Sequence, residues 1–241
     1  MMELKDMIGR RKSVRSYVPE PMDEATLQEI RAFIAQMKPL DPDIRVGWEI
    51  VPSSRVKCIL PWKAPQLVAI YTEEKEGALE NAGFLFQQLD LYLQSRGIGT
   101  CWLGMGKPEQ QLAAKDGLAF CMLLAFGYPK NDPPRESVAE FKRKALGDIA
   151  DEPDKRLEPA RLAPSSVNSQ PWYFTHEESM IHAWRVAPSG LMRRAMEKMN
   201  RIDMGIALAH LYVANSETFR YVRHENPPEK KGYIHTGSFT L

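Results

Sequence analysis

The second half of this chain carries the outline of the first. Sliding it back by 124 positions sets Trp172 on Trp48 and "RESV" (135–138) on "RKSV" (11–14). A slide of 122 sets "DMGIALAHLYVA" (203–214) on "NAGFLFQQLDLY" (81–92), with Gly205 on Gly83 and Leu211 on Leu89. The identities are sparse, but their order and near-constant offset are those of a duplicated supersecondary unit. A chain of 241 residues must then pack two related halves, approximately 1–133 and 134–241, into one unit. The Pro-rich, polar stretch "YPKNDPPRE" (128–136) is the natural linker between them.

Local patterning fills in each half. Asp23 reads as the N-cap of a helix through "EATLQEIRAFIAQM" (24–37), which sets Leu27, Ile30, Ile34 and Met37 on one face. "KPLDPDIRVGW" (38–48) reads as a loop and "EIV" (49–51) as a short strand. "PQLVAIYT" (65–72), "TCWLG" (100–104) and "AFCMLLAFG" (119–127) read as buried strands. Ala78, Ala82, Leu85, Phe86, Leu89, Tyr92 and Leu93 recur at helical spacing, and Gly97 ends that helix. Beyond the linker, 140–162 is helical with breaks and 172–186 is hairpin-like. Residues 192–214 then form a helix and 232–241 a strand. Strands mixed with helices and hairpin turns point to a mixed-sheet α/β or α+β architecture.

Composition closes off other classes. Hydrophobic residues at 44% and charged residues at 26% suit a globular chain with a substantial core. A formal net charge of +1 argues against a nucleic-acid tail or a polybasic membrane anchor. The start, "MMELKDMIGRRKSVRSY", has no apolar core and does not read as a signal peptide. No run approaches the roughly 18 apolar residues of a spanning helix. Cys58, Cys101 and Cys121 are odd in number and lack metal or CxxC spacing, which fits a reducing cytoplasm.

Two stretches carry chemistry. "RRKSVR" (10–15) supplies Arg11, Lys12, Ser13 and Arg15, three cations and a hydroxyl within five residues, which suits a phosphate. The alternative is a solvated basic face. "APSSVNSQPW" (163–172) offers Ser165, Ser166, Asn168 and Gln170 on a Pro-stiffened loop, able to donate and accept along a planar edge. Its alternative is an ordinary Ser/Asn turn before a strand, with Trp172 as core.

Taken together, "RRKSVRSY", "GIGTCWLGM", "LLAFGYPK" and "APSSVNSQPW" resemble the FMN-dependent nitroreductase family. In that family both motifs usually sit near the start of one chain, and the flavin lies at a homodimer interface. Here they lie in different halves, so the chain resembles the single-chain variant in which one polypeptide folds as a pseudo-dimer. The resemblance implies an α+β nitroreductase-like fold, a mixed or antiparallel sheet with flanking helices, and a single FMN site. It implies phosphate contacts from Arg11 and Ser13, with Lys12, Lys142 and Lys144 as further candidates. Arg15 would lie near the flavin N1 and O2 edge, where a cation stabilises reduced flavin. Pro164, Ser165, Ser166 and Asn168 would border the ring and ribityl chain, and Gln170 would border it or orient the loop. Leu103, Gly104 and Met105 would offer main chain near N5, with Gly104 where the family has an acidic residue.

The implied reaction is ping-pong, with NAD(P)H as co-substrate and a nitroaromatic, quinone or similar acceptor. The chain would be a cytoplasmic monomer without nucleic-acid or membrane partners. A non-catalytic flavin-binding or regulatory protein, and a flavin-free structural relic, are the contrasting readings. No protein side chain is needed as a catalytic acid or base, since the flavin does the chemistry. His176, His182, His210, His224 and His235 lack metal spacing and read as surface or satisfied histidines. Cys101 reads as an inert buried thiol.

Overall fold

Each half builds one main antiparallel sheet and one long helix, and the first half adds a short two-stranded sheet. The computed structural model describes residues 3–190 and 193–241. Its helices are α1 (Leu4–Ile8), α2 (Glu24–Ile34), α3 (Ala78–Ser95), α4 (Leu146–Ile149), α5 (Glu158–Leu162) and α6 (Arg193–Ala214). Strands β1 (Val46–Pro52), β2 (Val56–Lys57), β3 (Gln66–Thr72), β4 (Gly99–Leu103), β5 (Lys107–Pro108), β6 (Ala114–Lys115) and β7 (Leu118–Gly127) belong to the first half. Strands β8 (Trp172–Glu177), β9 (Met180–Val186), β10 (Arg220–Val222) and β11 (Tyr233–Thr240) belong to the second. No helix among the described residues is long and apolar enough to cross a membrane.

The first sheet runs β1-β3-β7-β4, with β6 on β7, and the second runs β10-β11-β9-β8. All these pairings are antiparallel. Strand β3 is buried at every residue, as its unbroken apolar run requires of a strand between β1 and β7. The second half's hairpin alternates: Phe174, Ile181 and Ala183 join the main core, while Tyr173, Thr175 and His182 take the other face.

Helices α3 and α6 hold the halves together. Phe84, Phe86, Leu89 and Leu93 of α3 share one core with Met204, Ile206, Leu208 and Leu211 of α6. Each such burial contributes about 1.5–3 kcal/mol. Both helices coincide with the periodic segments of the duplication; Met192, at the expected start of the second, lies outside the described residues.

Some expectations shift. Asp23 caps α2, accepting from the Thr26 N–H at 2.8 Å, but the helix ends at Ile34 and Met37 packs from the following turn. Val46, Gly47 and Trp48 belong to β1, paired with Thr72, Tyr71 and Ile70. Pairing to β3 extends the strand into a segment whose Pro- and Asp-rich lead reads as loop. Helix α1 and strand β10, at five and three residues, are too short to leave a periodic signal. The 128–136 stretch is no free tether: Tyr128 O, the Lys130 N–H and the Arg135 N–H bond to the Val18 N–H, Ser16 O and Arg10 O.

Candidate functional site

The basic motif leaves α1 and runs along the edge of β4. The Val14 N–H donates to Thr100 O at 2.8 Å, and Ser13 bridges Thr100 in parallel. A Cβ on Gly99 would lie 2.8 Å from the Val14 side chain, so only glycine admits this close approach. Arg11 turns inward. It is 1% exposed, and its Nε lies 2.9 Å from Asp90 Oδ2 on α3. Asp90 also accepts from Gln87 at 2.7 Å, Gln94 at 3.1 Å and the Thr100 hydroxyl. A fully buried carboxylate is tolerable only with such complete pairing. Lys12 Nζ lies 2.7 Å from Asp132, and Arg15 is exposed.

The loop after α5 is backbone-strained. Val167, Asn168 and Gln170 have φ of 47°, 57° and 47°, the left-handed region that side chains other than glycine enter at a cost. Its polar groups explain how it persists. The Gln170 N–H donates to Ser165 Oγ at 2.9 Å, and the Gln170 side chain spans the Lys144 N–H and Asn168 O. Asn168 donates to Lys142 O at 2.8 Å and accepts from Arg143 at 2.5 Å. Held this way, Val167 points outward, 96% exposed. The Ser166 N–H meets Asp203 of α6 at 3.0 and 3.1 Å. Burial pushes the Asp203 carboxyl up to about 8, only partly countered by that N–H.

Two adjoining cavities lie between motif and loop, sharing Ser13, Arg15, Pro164, Ser165 and Val167. One is a slot of about 300 Å³, walled by Trp102–Met105 at the end of β4, the 164–167 loop, and Met199, Ile202, Asp203 and Ile206 of α6. The other is a cleft of about 410 Å³. Among the described residues it is lined by Arg11, Lys12, Arg15, Arg135, Lys142 and Arg143 against a single carboxylate, Glu140. Burial, then the neighbouring Arg11 and Arg135, lower Arg143 to about 10.

The fold thus brings Arg11, Lys12, Ser13, Arg15, Lys142, Pro164, Ser165 and Asn168 to the cleft. Leu103, Gly104, Met105 and Ser166 line the slot. Lys144 and Gln170 stand outside both cavities: Lys144 Nζ donates to Gln170 O at 2.9 Å, so the two brace the loop. Cys101 is buried with its thiol pushed up by burial, an unreactive setting.

Arg135, Arg143 and Asp203 escaped the sequence reading. Arg135 was aligned with Arg11 by the duplication, and here its guanidinium donates to Arg11 O. The repeat signalled that residue; nothing in the sequence showed that the two equivalents meet. Arg143 lies between Lys142 and Lys144, and its Nε bonds to Ala163 O at 3.0 Å.

Two main antiparallel sheets and a central helix pair, with a slot between halves, define an α+β nitroreductase fold. Residues 3–215 match the family described as "Putative TM nitroreductase", and the chain belongs to that family. A Thermotoga maritima protein described as a putative nitroreductase superposes with a TM-score of 0.70 at 21% identity, over 100% of this chain and 94% of that one. A nitroreductase family protein of Clostridium difficile 630 superposes with a TM-score of 0.50 at 14% identity. That comparison takes in 61% of this chain and 96% of the other, in keeping with two related halves in one polypeptide. No curated protein matches the sequence.

Proposed function

We propose that this chain binds FMN non-covalently between its halves and acts as an oxidoreductase, with NAD(P)H as co-substrate and a nitroaromatic, quinone or similar acceptor. The observation that carries this reading is the junction of an apolar slot with a cleft of six cations and one carboxylate. Even with Arg11 and Lys12 paired to Asp90 and Asp132, positive charge is left in surplus. Such a cleft is stabilised by an anion, and the slot suits a flat, largely apolar ring. When bound, FMN would supply hydride acceptance from NAD(P)H and onward transfer to the acceptor, a ping-pong sequence.

The chain's own residues have separate tasks. Lys12, Ser13, Lys142 and Arg143 would hold the phosphate, with Arg11 at the cleft floor. Arg15 borders both cavities, so its charge can act on the ring edge as well. Leu103, Gly104 and Met105 would present main chain to the ring, while Ser165, Ser166 and Asn168 shape its border. Lys144 and Gln170 keep the loop in its strained form. Asp203 holds a proton beside the slot at neutral pH. Halves of about 1–133 and 134–241 would together own one flavin site, in a monomer. The three cysteines, all free, suit a reducing compartment.

The test is the absorption spectrum of the purified protein, followed by anaerobic NADH or NADPH. A flavin spectrum that bleaches supports the enzyme. A spectrum that persists leaves a non-catalytic flavin binder, and a protein unable to take up FMN overturns the reading.

A further inference from the structure

The second sheet has a face turned away from α6, and a bulge concentrates three histidines on it. In the β11–β9 register His235 lies opposite Trp184 and Ser238 opposite His182, with Gly237 opposite Ala183. Thr236 is the extra residue. Without it, His235 and Ser238, three apart, would point to opposite faces; with it they share one. Tyr221 on β10 secures the bulge. Its hydroxyl donates to Thr236 O at 2.7 Å, and its ring occupies the space a Cβ on Gly237 would need. His224 follows β10 by two residues and reaches the same point.

Three ring nitrogens converge there. His182 Nδ1 and His235 Nε2 are 3.2 Å apart, and one donor atom from each of His182, His224 and His235 falls within 4.8 Å of the others. Tetrahedral zinc holds imidazole nitrogens at 2.0–2.1 Å, which places them about 3.3 Å from one another. Ser238 Oγ sits among them, 2.7 Å from His182 Nδ1, 2.8 Å from His224 Nε2 and 3.4 Å from His235 Nε2. The hydroxyl can donate to one ring nitrogen and accept from two, so without an ion its contacts require N–H groups on two of the three rings.

A carboxylate stands behind one of the rings. Glu177 Oε2 lies 2.6 Å from His182 Nε2, so that nitrogen carries the proton and Nδ1 turns its lone pair inward. A carboxylate behind a histidine is how metal sites fix tautomer and ring orientation.

We propose that His182, His224 and His235 form a site for one borderline divalent cation of the Zn²⁺ class, with Glu177 orienting His182. Three imidazoles and no thiolate suit zinc, cobalt or nickel rather than calcium or magnesium. The ion would tie β9, β11 and the chain after β10 together. The site is distinct from the slot and cleft, and it does not depend on the flavin reading.

Untagged protein, stripped with a chelator and equilibrated with Zn²⁺, is expected to retain one zinc per chain by elemental analysis. Co²⁺ in its place should give the visible absorption of a tetrahedral complex. His224→Ala and His235→Ala should each abolish both signals. Glu177→Gln, at an exposed position, should keep one ion but weaken it about 10–100-fold. Because a misfolded variant would lose metal trivially, imidazole ¹⁵N shifts of the wild-type protein are followed during the Zn²⁺ titration. His182, His224 and His235 should move, and His176 and His210 should not. No retained zinc, an ion unaffected by both histidine substitutions, or shifts at other histidines would overturn the site.

Discussion

Gly83 of α3 and Gly205 of α6 face each other's helices in a reciprocal contact. A Cβ on Gly83 would lie 2.2 Å from Ile202 O, and one on Gly205 would lie 2.0 Å from Glu80 O. The shift of 122 that carries Gly83 onto Gly205 also carries Glu80 onto Ile202. The helix crossing is therefore related to itself by that offset, as a twofold homodimer contact would be, here inside one polypeptide.

Either glycine is thus expected to resist substitution. Alanine gains about 1 kcal/mol of helix preference over glycine. Against that, its methyl meets a partner-helix carbonyl that cannot rotate away, at the upper end of the about 1–3 kcal/mol of overpacking. Gly83→Ala and Gly205→Ala should each lower the unfolding free energy by roughly 2 kcal/mol in urea titrations. The double variant should lose less than the sum, because one methyl already parts the helices. Strict additivity would show that the two contacts are not one crossing.

Arg11 and Arg15 should separate structure from binding. Arg11→Ala strands the buried Asp90, for which about 3–5 kcal/mol of destabilisation is the scale. Arg15 is exposed, so Arg15→Ala should leave flavin-free stability unchanged. It should weaken FMN binding by about 1.5–3 kcal/mol and make the flavin midpoint potential more negative. An unchanged potential in Arg15→Ala would remove that residue from the ring.

What was legible follows from how local each signal is. The long helices, the hairpin and the buried strands lie in periodic or unbroken apolar runs, and glycines 83 and 205 sat in register. The two motifs that line the slot and the cleft were readable because each is contiguous. Asp203 was not, since "RIDMG" gives no sign that its carboxylate faces an apolar slot; burial is a tertiary property. The convergence of His182 with His235 depends on one extra residue in β11, which no periodicity reports.

Asp203 gives the protein a pH signature. Its carboxyl is held up to about 8 in the fold, against about 3.9 in an unfolded chain. Between those values the folded state binds the extra proton, so stability falls as pH rises, by up to about 1.4 kcal/mol per pH unit. Above about 8 the loss levels off. Asp203→Asn should remove this slope, making the variant more stable than wild type at pH 8 and closer to it at pH 5. Urea midpoints of flavin-free protein at the two pH values decide it. A wild-type slope that survives the substitution belongs to another group.

The last prediction concerns what completes the site. Arg15 and Leu103 come from the first half, while Ser165 and Asp203 come from the second, yet all four line the same slot. A dimeric relation between halves has become an intramolecular one, so FMN binding should not depend on protein concentration. One FMN per chain is expected at saturation, because the half-site opposite Arg11 and Ser13 is different in chemistry: Glu136 stands where Lys12 does, and the counterpart of "APSSVNSQPW" is "PLDPDIRVGW". The measurement is FMN occupancy together with light-scattering mass across a dilution series, in excess free FMN. Occupancy should stay near one flavin per chain while the mass stays that of a monomer. Flavin loss in step with a dimer-to-monomer transition would mean that the site spans two chains, and saturation at two flavins would mean that each half holds its own.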